Sequence, residues 1–169
     1  MYFLWIDPWI RKLGYALIDD QMHVIDAGVL LQDDKKLTRE KQFARMEEIW
    51  TFFVVLLKKY PVTAVGMEKL YFTDRNMNNA EFVYGIRGAL AMLFSTNKIP
   101  LHEWTPNEEK KRVSGNGNAS KELMVNVVTR LYELAEAPKR HDTADALWLA
   151  WMVKQQLQSK QKMRTGNCL

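Results

Sequence analysis

The sequence predicts an α/β domain, a mixed five-stranded sheet flanked by helices, on three observations. Three short apolar runs separated by turn signals open the chain. Two later apolar runs alternate with stretches whose apolar residues recur every three or four positions. The last third reads as helices joined by loops. At 169 residues the chain has the size of one such domain, and no repeat or second domain is visible in it.

Phe3–Asp7 is an apolar run that ends in Asp-Pro, and Gly14–Ile18 is a second. His23–Leu31 is a third, set off by the turn signal Asp19-Asp20-Gln21. A helix follows from Thr38 as N-cap, with Phe43, Met46, Ile49, Trp50, Phe53, Leu56 and Leu57 as its inward stripe, and Pro61 ends it. Val62–Met67 is the fourth strand and delivers Glu68 at its end. The loop Tyr71–Asn76 leads into a helix over Asn79–Thr96, and Ile99–Trp104 is the fifth strand. Thr105 and Pro106 open a helix as N-cap and first helical residue. After the glycine-bearing loop Ser114–Asn118, Ser120 begins another, which turns Leu123, Val127 and Leu131 inward. The last helix starts near His141 and carries Ala144, Leu147, Trp148, Trp151 and Met152. The domain is therefore drawn over residues 1–154, with 155–169 as a polar, basic tail outside it.

Hydrophobic residues make up 47% and charged residues 26%, the balance of an ordinary soluble protein. No stretch approaches the roughly 20 apolar residues of a membrane span. The start MYFLWIDPW reaches Asp7 too early for a signal peptide and lacks a basic opening. The single cysteine, Cys168, excludes an internal disulfide or a zinc cluster, which sets a reducing, cytoplasmic expectation. The net charge of +4 is unevenly placed. Residues 1–104 hold 13 Lys and Arg against 13 Asp and Glu, whereas residues 105–169 hold 11 against 7. A basic C-terminal part suits a polyanion, although a solvated helix face with a basic tail would look the same.

Four carboxylates stand where a metal-dependent nuclease needs them. Asp7 ends the first strand and Glu68 the fourth, while Asp142 and Asp145 lie three apart, on one face, at the start of the last helix. Strand ends and helix starts converge on one cleft in sheet proteins. Phosphodiester hydrolysis needs an activated water, charge neutralisation and a stabilised leaving oxygen. Two divalent ions about 3.5–4 Å apart supply all three, and hard Mg²⁺ takes carboxylate oxygens. Singly, each carboxylate also has a plain reading: Asp142 as an N-cap, Asp7 as the start of an Asp-Pro turn. Asp7 fits that plain reading least, because it follows Phe3-Leu4-Trp5-Ile6, where an unpaired carboxylate is costly.

Four blocks carry a resemblance. They are Ile6-Asp7-Pro8 with Leu13-Gly14-Tyr15-Ala16; Met67-Glu68-Lys69-Leu70-Tyr71-Phe72 with Gly85-Ile86-Arg87-Gly88-Ala89; Thr105-Pro106-Asn107-Glu108-Glu109-Lys110-Lys111 with Gly115-Asn116-Gly117, Ala119 and Lys121; and Asp142-Thr143-Ala144-Asp145-Ala146-Leu147. In this order, over most of residues 3–150, the sequence resembles the RuvC family of Holliday junction resolvases, which have an RNase H-like fold. The resemblance implies that Asp7, Glu68, Asp142 and Asp145 bind catalytic Mg²⁺, with Mn²⁺ able to substitute. It implies a homodimer that nicks a four-way junction symmetrically, and a branch-migration helicase complex as a further partner. Tyr71 falls where the family carries an aromatic near the crossing point. Lys110 and Lys121 match its DNA-facing lysines, Lys121 being the one suited to catalysis. Arg75 and Trp9 are counted with the DNA-facing residues.

The sequence departs from the family pattern in three places. Trp9 stands where the family usually has Gly, so either the turn has changed or the indole packs on DNA. One extra residue lies between Tyr71 and Gly85, which leaves Asp74, Arg75 and Asn76 out of register. Some relatives have His at the position of Asp142, and here His141 is its neighbour rather than a ligand. On the second helix Gly85, Gly88, Ala89 and Met92 form a small-residue face. Spacing alone favours packing on its own sheet, and the resemblance favours a dimer interface. Two other functions fit: a relaxed, phage-type nuclease of forks and three-way junctions, and a non-catalytic branched-DNA-binding protein. The intact set of four carboxylates speaks against the second.

Overall fold

The computed structural model describes residues 1–34, 38–69, 80–105, 108, 120–138 and 141–164; the side chains of Lys121, Met124, His141, Asp142 and residues 160–164 lie outside that description. Strands β1 (Tyr2–Pro8), β2 (Lys12–Asp19) and β3 (Val24–Leu31) form an antiparallel meander. Helix α1 (Arg39–Lys59), β4 (Val62–Glu68), α2 (Ala80–Thr96), β5 (Leu101–Trp104), α3 (Lys121–Leu131) and α4 (His141–Arg164) follow. The sheet order is β3-β2-β1-β4-β5. β1 pairs antiparallel with β2 and parallel with β4, and β5 adds parallel to β4. The expected five-stranded mixed sheet is present.

Alternation along β1 divides the core in two. Leu4 and Ile6 enter one cluster with Ile49, Phe53, Leu56, Val83, Ile86 and Leu90 of α1 and α2. Phe3 and Trp5 enter the other with Val128 and with Ala144, Leu147, Trp148 and Val153 of α3 and α4. The sheet is thus sandwiched between α1/α2 and α3/α4. β1 and β2 are buried on both faces, as befits central strands, whereas β3 is half-buried throughout at the sheet's edge.

Local chemistry sets the boundaries. The Asp19 carboxylate accepts from the Gln21 and His23 amides at 2.8 Å each and closes the β2–β3 turn. Thr38 accepts from the Lys41 amide as the N-cap of α1, and Ser120 accepts from the Leu123 amide as that of α3. The Thr105 amide donates to Glu108 at 2.8 Å, and the Glu108 amide donates back to the Thr105 hydroxyl at 3.2 Å, a reciprocal capping box.

Three expectations change. The buried stripe of α1 is Gln42, Arg45, Ile49, Phe53 and Leu56, while Phe43 and Trp50 are exposed. Arg45 takes an inward position, donating from Nε to the Ile10 carbonyl at 3.1 Å and from the guanidinium to the Leu30 carbonyl at 2.6 Å. Phe43 is instead covered from outside by the Arg39 guanidinium and packs edge-on to Phe82. In α3 the inward anchor is Val128, and Leu123 points to solvent. Helix α4 continues through Arg164, into the segment assigned to a tail. Leu157 packs on the second cluster and Lys154, though charged, is buried where its ammonium donates to the Asp20 carbonyl at 2.6 Å.

Candidate metal centre

Strand parity aims the carboxylates. In β1 the odd residues Phe3 and Trp5 face α4, so Asp7 follows them to that face. In β4 Ala64 faces α4, and Glu68, four residues on, lies on the same side. β1 and β4 are parallel neighbours whose last pair is Ile6–Met67, so Asp7 and Glu68 emerge side by side where the sheet opens. Helix α4 crosses β1, β2 and β4 on that face, and Asp145, half-buried, follows the fully buried Ala144.

Electrostatics tie the three together. Burial pushes the Glu68 carboxyl above its ordinary value; a hydrogen bond with Asp7 pulls it down, the charge of Asp145 raises it, and Arg87 lowers it. Two carboxylates joined by a hydrogen bond hold a proton between them, and a cation can take that proton's place. All-oxygen, anionic donors suit a hard divalent ion such as Mg²⁺. Among the described residues no group of three acidic, His or Cys side chains is already gathered to hold a metal. The expected fourth ligand, Asp142, is the second residue of α4, but its side chain lies outside the described residues.

Arg87 was not singled out from the sequence. It donates to the Glu68 backbone carbonyl and to the Glu103 carboxylate. Its signal was available: with Val83, Leu90 and Phe94 it lies at i, i+4, i+7 and i+11, on the buried stripe of an apolar helix. Trp9 donates its amide to the Asp7 carbonyl at 3.0 Å, and its half-buried indole packs on the α1/α2 core cluster. The residue in the usual glycine's place therefore has a packing role. Tyr71, Arg75, Lys110 and the Lys121 side chain lie outside the described residues; Lys121 itself is the first residue of α3.

The small-residue face of α2 is divided. A Cβ on Gly85 would stand 3.0 Å from Met46 Cε, so Gly85 packs against α1, with half-buried Ala89 on the same margin. Gly88 has nothing within 4 Å of such a Cβ, and Met92 is 66% exposed. Tyr84, which the small-residue pattern left out, is 53% exposed and four residues before Gly88. Of the expected face of Gly85, Gly88, Ala89 and Met92, α1 lies against the Gly85 edge, while Gly88 and Met92 face outward in one strip with Tyr84. Among the described residues no helix is long and apolar enough to cross a membrane.

Residues 3–153 match the family described as crossover junction endodeoxyribonuclease RuvC. The chain is 33% identical over 154 residues to the protein of that description from Thermosipho melanesiensis, spanning 89% of this chain and 95% of that one. It is 34% identical over 152 residues to its counterpart from Thermotoga maritima, spanning 88% and 87%. In fold it is similar to the Thermus thermophilus RuvC structure, with TM-score 0.76 and 23% identity over 95% of this chain and 96% of the other. It is similar also to T. thermophilus RuvC in complex with Holliday junction substrate, with TM-score 0.75 and 23% identity over 94% and 96%. The fold is RNase H-like.

Proposed function

The chain belongs to the crossover junction endodeoxyribonuclease RuvC family, and from that premise we propose that it is a structure-selective DNA endonuclease that resolves four-way junctions by paired, symmetric nicks in the cytoplasm. The observation that carries the reading is the hydrogen-bonded pair Asp7 and Glu68 at the open end of the sheet, with the charge of Asp145 acting on Glu68. Folding alone does not ask for three acids there, since burying ionised carboxylates side by side costs stability unless a cation joins them.

Asp7, Glu68, Asp142 and Asp145 would hold two Mg²⁺ ions, with Mn²⁺ able to substitute. When bound, the metal supplies an activated water and charge neutralisation at the phosphate. The chain's own residues do the rest. Glu68 and Asp7 present oxygens from adjacent strands, fixed by the β-ladder rather than by a mobile loop. Lys121, at the start of α3, would meet the scissile phosphate, and Lys110, Arg75 and Tyr71 would bind the DNA around it. Trp9 would add DNA contact only through the part of its ring that the core leaves open.

The active form would be a homodimer through the outward strip of α2, Tyr84, Gly88 and Met92. An exposed aromatic and an exposed Met flanking a glycine permit close helix approach and apolar burial at once. A two-fold dimer places two such centres to match the pseudo-two-fold symmetry of a four-way junction. A branch-migration helicase complex would be a further partner. Nicking assays on four-way, three-way and linear DNA, with and without Mg²⁺, test the function. Asp7→Asn, Glu68→Gln and Asp145→Asn should each lower cleavage by about 10²–10³-fold while junction binding survives. Normal nicking by the Asp7→Asn protein would overturn the assignment, and equal cutting of all branched forms would favour the relaxed, phage-type nuclease.

A further inference from the structure

We propose that Arg87 is a positioning residue for the nuclease centre: from the α2 side of the sheet it fixes the end of β4, and so the reach of Glu68 toward Asp7 and Asp145. The inference deepens the reading of this chain as a nuclease and rests on it for its effect on rate, though not for its effect on the backbone.

The end of β4 has lost part of its ladder. Pairing with β1 stops at Ile6–Met67, so Glu68 stands one residue past the last partner on that side. On the other side the Lys69 amide still donates to the Trp104 carbonyl at 2.7 Å. Arg87 supplies what β1 no longer gives: one guanidinium nitrogen donates to the Glu68 carbonyl and another to the Glu103 carboxylate. Glu103 lies on β5 directly beside Met67. A planar fork with fixed spacing, anchored on two neighbouring strands, sets the direction in which the last peptide of β4 leaves the sheet.

The side from which Arg87 acts matters. Helix α2 covers the face that holds Ile6 and Met67, whereas Glu68 and Asp7 aim at the face under α4. Arg87 therefore grips the backbone from behind and takes no place among the carboxylates. Its side chain is only 12% exposed, which leaves it little freedom and little access for DNA. Displacement of reacting groups by about 1 Å can cost roughly 10²-fold in rate, so a brace at this peptide bears on turnover more than on affinity.

The test uses the full chain. Arg87→Lys keeps the charge but not the two-pronged reach; Glu103→Gln keeps an acceptor for Arg87; Glu103→Ala removes one anchor at an exposed position where folding is not at stake. Arg87→Lys should lower kcat by about 10–100-fold, with junction Kd within about twofold of wild type. Glu103→Gln should retain most of the turnover and Glu103→Ala should lose part of it. Hydrogen exchange of the metal-free protein should show faster exchange over residues 66–69 in Arg87→Lys, with the rest of the sheet unchanged. A wild-type kcat in Arg87→Lys, parallel losses of kcat, Kd and global stability across all three variants, or unaltered exchange over 66–69 would each overturn the proposal. If the wild-type protein cuts no junction, the nuclease reading fails by itself, and the exchange measurement still decides whether Arg87 braces β4.

Discussion

Gly66 packs face to face with Trp5 across the β1–β4 pair. A Cβ at residue 66 would stand 2.3 Å from Trp5 Cε3 and 2.4 Å from Val153 Cγ2 of α4. Both neighbours are fully buried, so neither can swing aside. Gly66→Ala should therefore destabilise the fold by about 1–3 kcal/mol through overpacking. Because Gly66 and Trp5 each lie two residues before a carboxylate, the same wedge should lower cleavage beyond the loss of folded protein. Urea unfolding and single-turnover nicking at low temperature measure the two effects separately. A variant as stable as wild type would mean that α4 yields at Val153.

Arg45 offers a test of which of its contacts matters. Its side chain is fully buried and satisfies two backbone carbonyls, whereas its ion-pair partner Glu48 is 59% exposed. An exposed partner contributes little, about 0–1 kcal/mol, but each carbonyl left without a donor costs about 1–3 kcal/mol. Arg45→Met should thus lose on the order of 2–5 kcal/mol, and Glu48→Ala less than about 1 kcal/mol. Equal losses in chemical denaturation would show that the ion pair, not the carbonyls, carries the energy.

These two arginines also show what the sequence made legible. Asp7 and Glu68 could be read directly, because a carboxylate at the end of an apolar run has a fixed face once strand alternation is known. Arg45 was hidden, and Arg87, though it stands in the block Gly85–Ala89, was given no role, since a stripe traced through apolar residues alone passes over a charged side chain that occupies a core position. That omission rotated the expected face of α1 and turned Phe43 and Trp50 inward, where the structure has Gln42 and Arg45. On α2 the limit of the sequence is different. Spacing shows which residues share a side of a helix, but only the placement of α1 could show that Met46 had taken the Gly85 edge. Gln155–Arg164 lacks a strong apolar stripe, so the sequence set it apart as a tail; α4 runs on through Arg164, and Leu157 packs on the second core cluster.

Cation binding and pH should be coupled through Glu68. Its folded value is raised above the ordinary 4.5, chiefly by burial. A carboxyl raised on folding contributes stability at pH below its unfolded value, and that contribution is lost as pH rises through the folded value. The metal-free protein should accordingly lose stability from this site as pH rises above about 4.5, and a divalent cation should restore it once the carboxyls are ionised. At a Mg²⁺ concentration ten times Kd the restoration is about 1.4 kcal/mol, or roughly 3–6 °C in Tm for a chain of this size. Thermal melts with Mg²⁺ or EDTA should show that shift at pH 7.5 and a smaller one at pH 5. Glu68→Gln should raise the Tm of the metal-free protein at neutral pH and lose the Mg²⁺ response. An equal Mg²⁺ shift at both pH values would place cation binding elsewhere.

Tyr71 lies outside the described residues; in the sequence it follows Glu68, the last residue of β4, by three positions, and the family resemblance gives it an aromatic's place near the junction's crossing point. A resolvase must hold the crossing point open for the scissile phosphates to reach the carboxylates. An aromatic at this place can do so by stacking on an unpaired base, a contact worth about 1–3 kcal/mol. The competing reading is a tyrosine that packs the loop against the core, with Phe72 beside it. The two part company under substitution. Tyr71→Phe keeps the stacking face and should cleave almost as wild type. Tyr71→Ala should fold, bind junctions and respond to Mg²⁺, yet lose cleavage by about 5–150-fold, the rate equivalent of the stacking energy. 2-Aminopurine at the crossing point should brighten when the wild-type protein binds and stay dim with the alanine variant. An alanine variant that unfolds, or one that cuts junctions as well as wild type, would assign Tyr71 to the core and leave the opening of the junction to other residues of the loop.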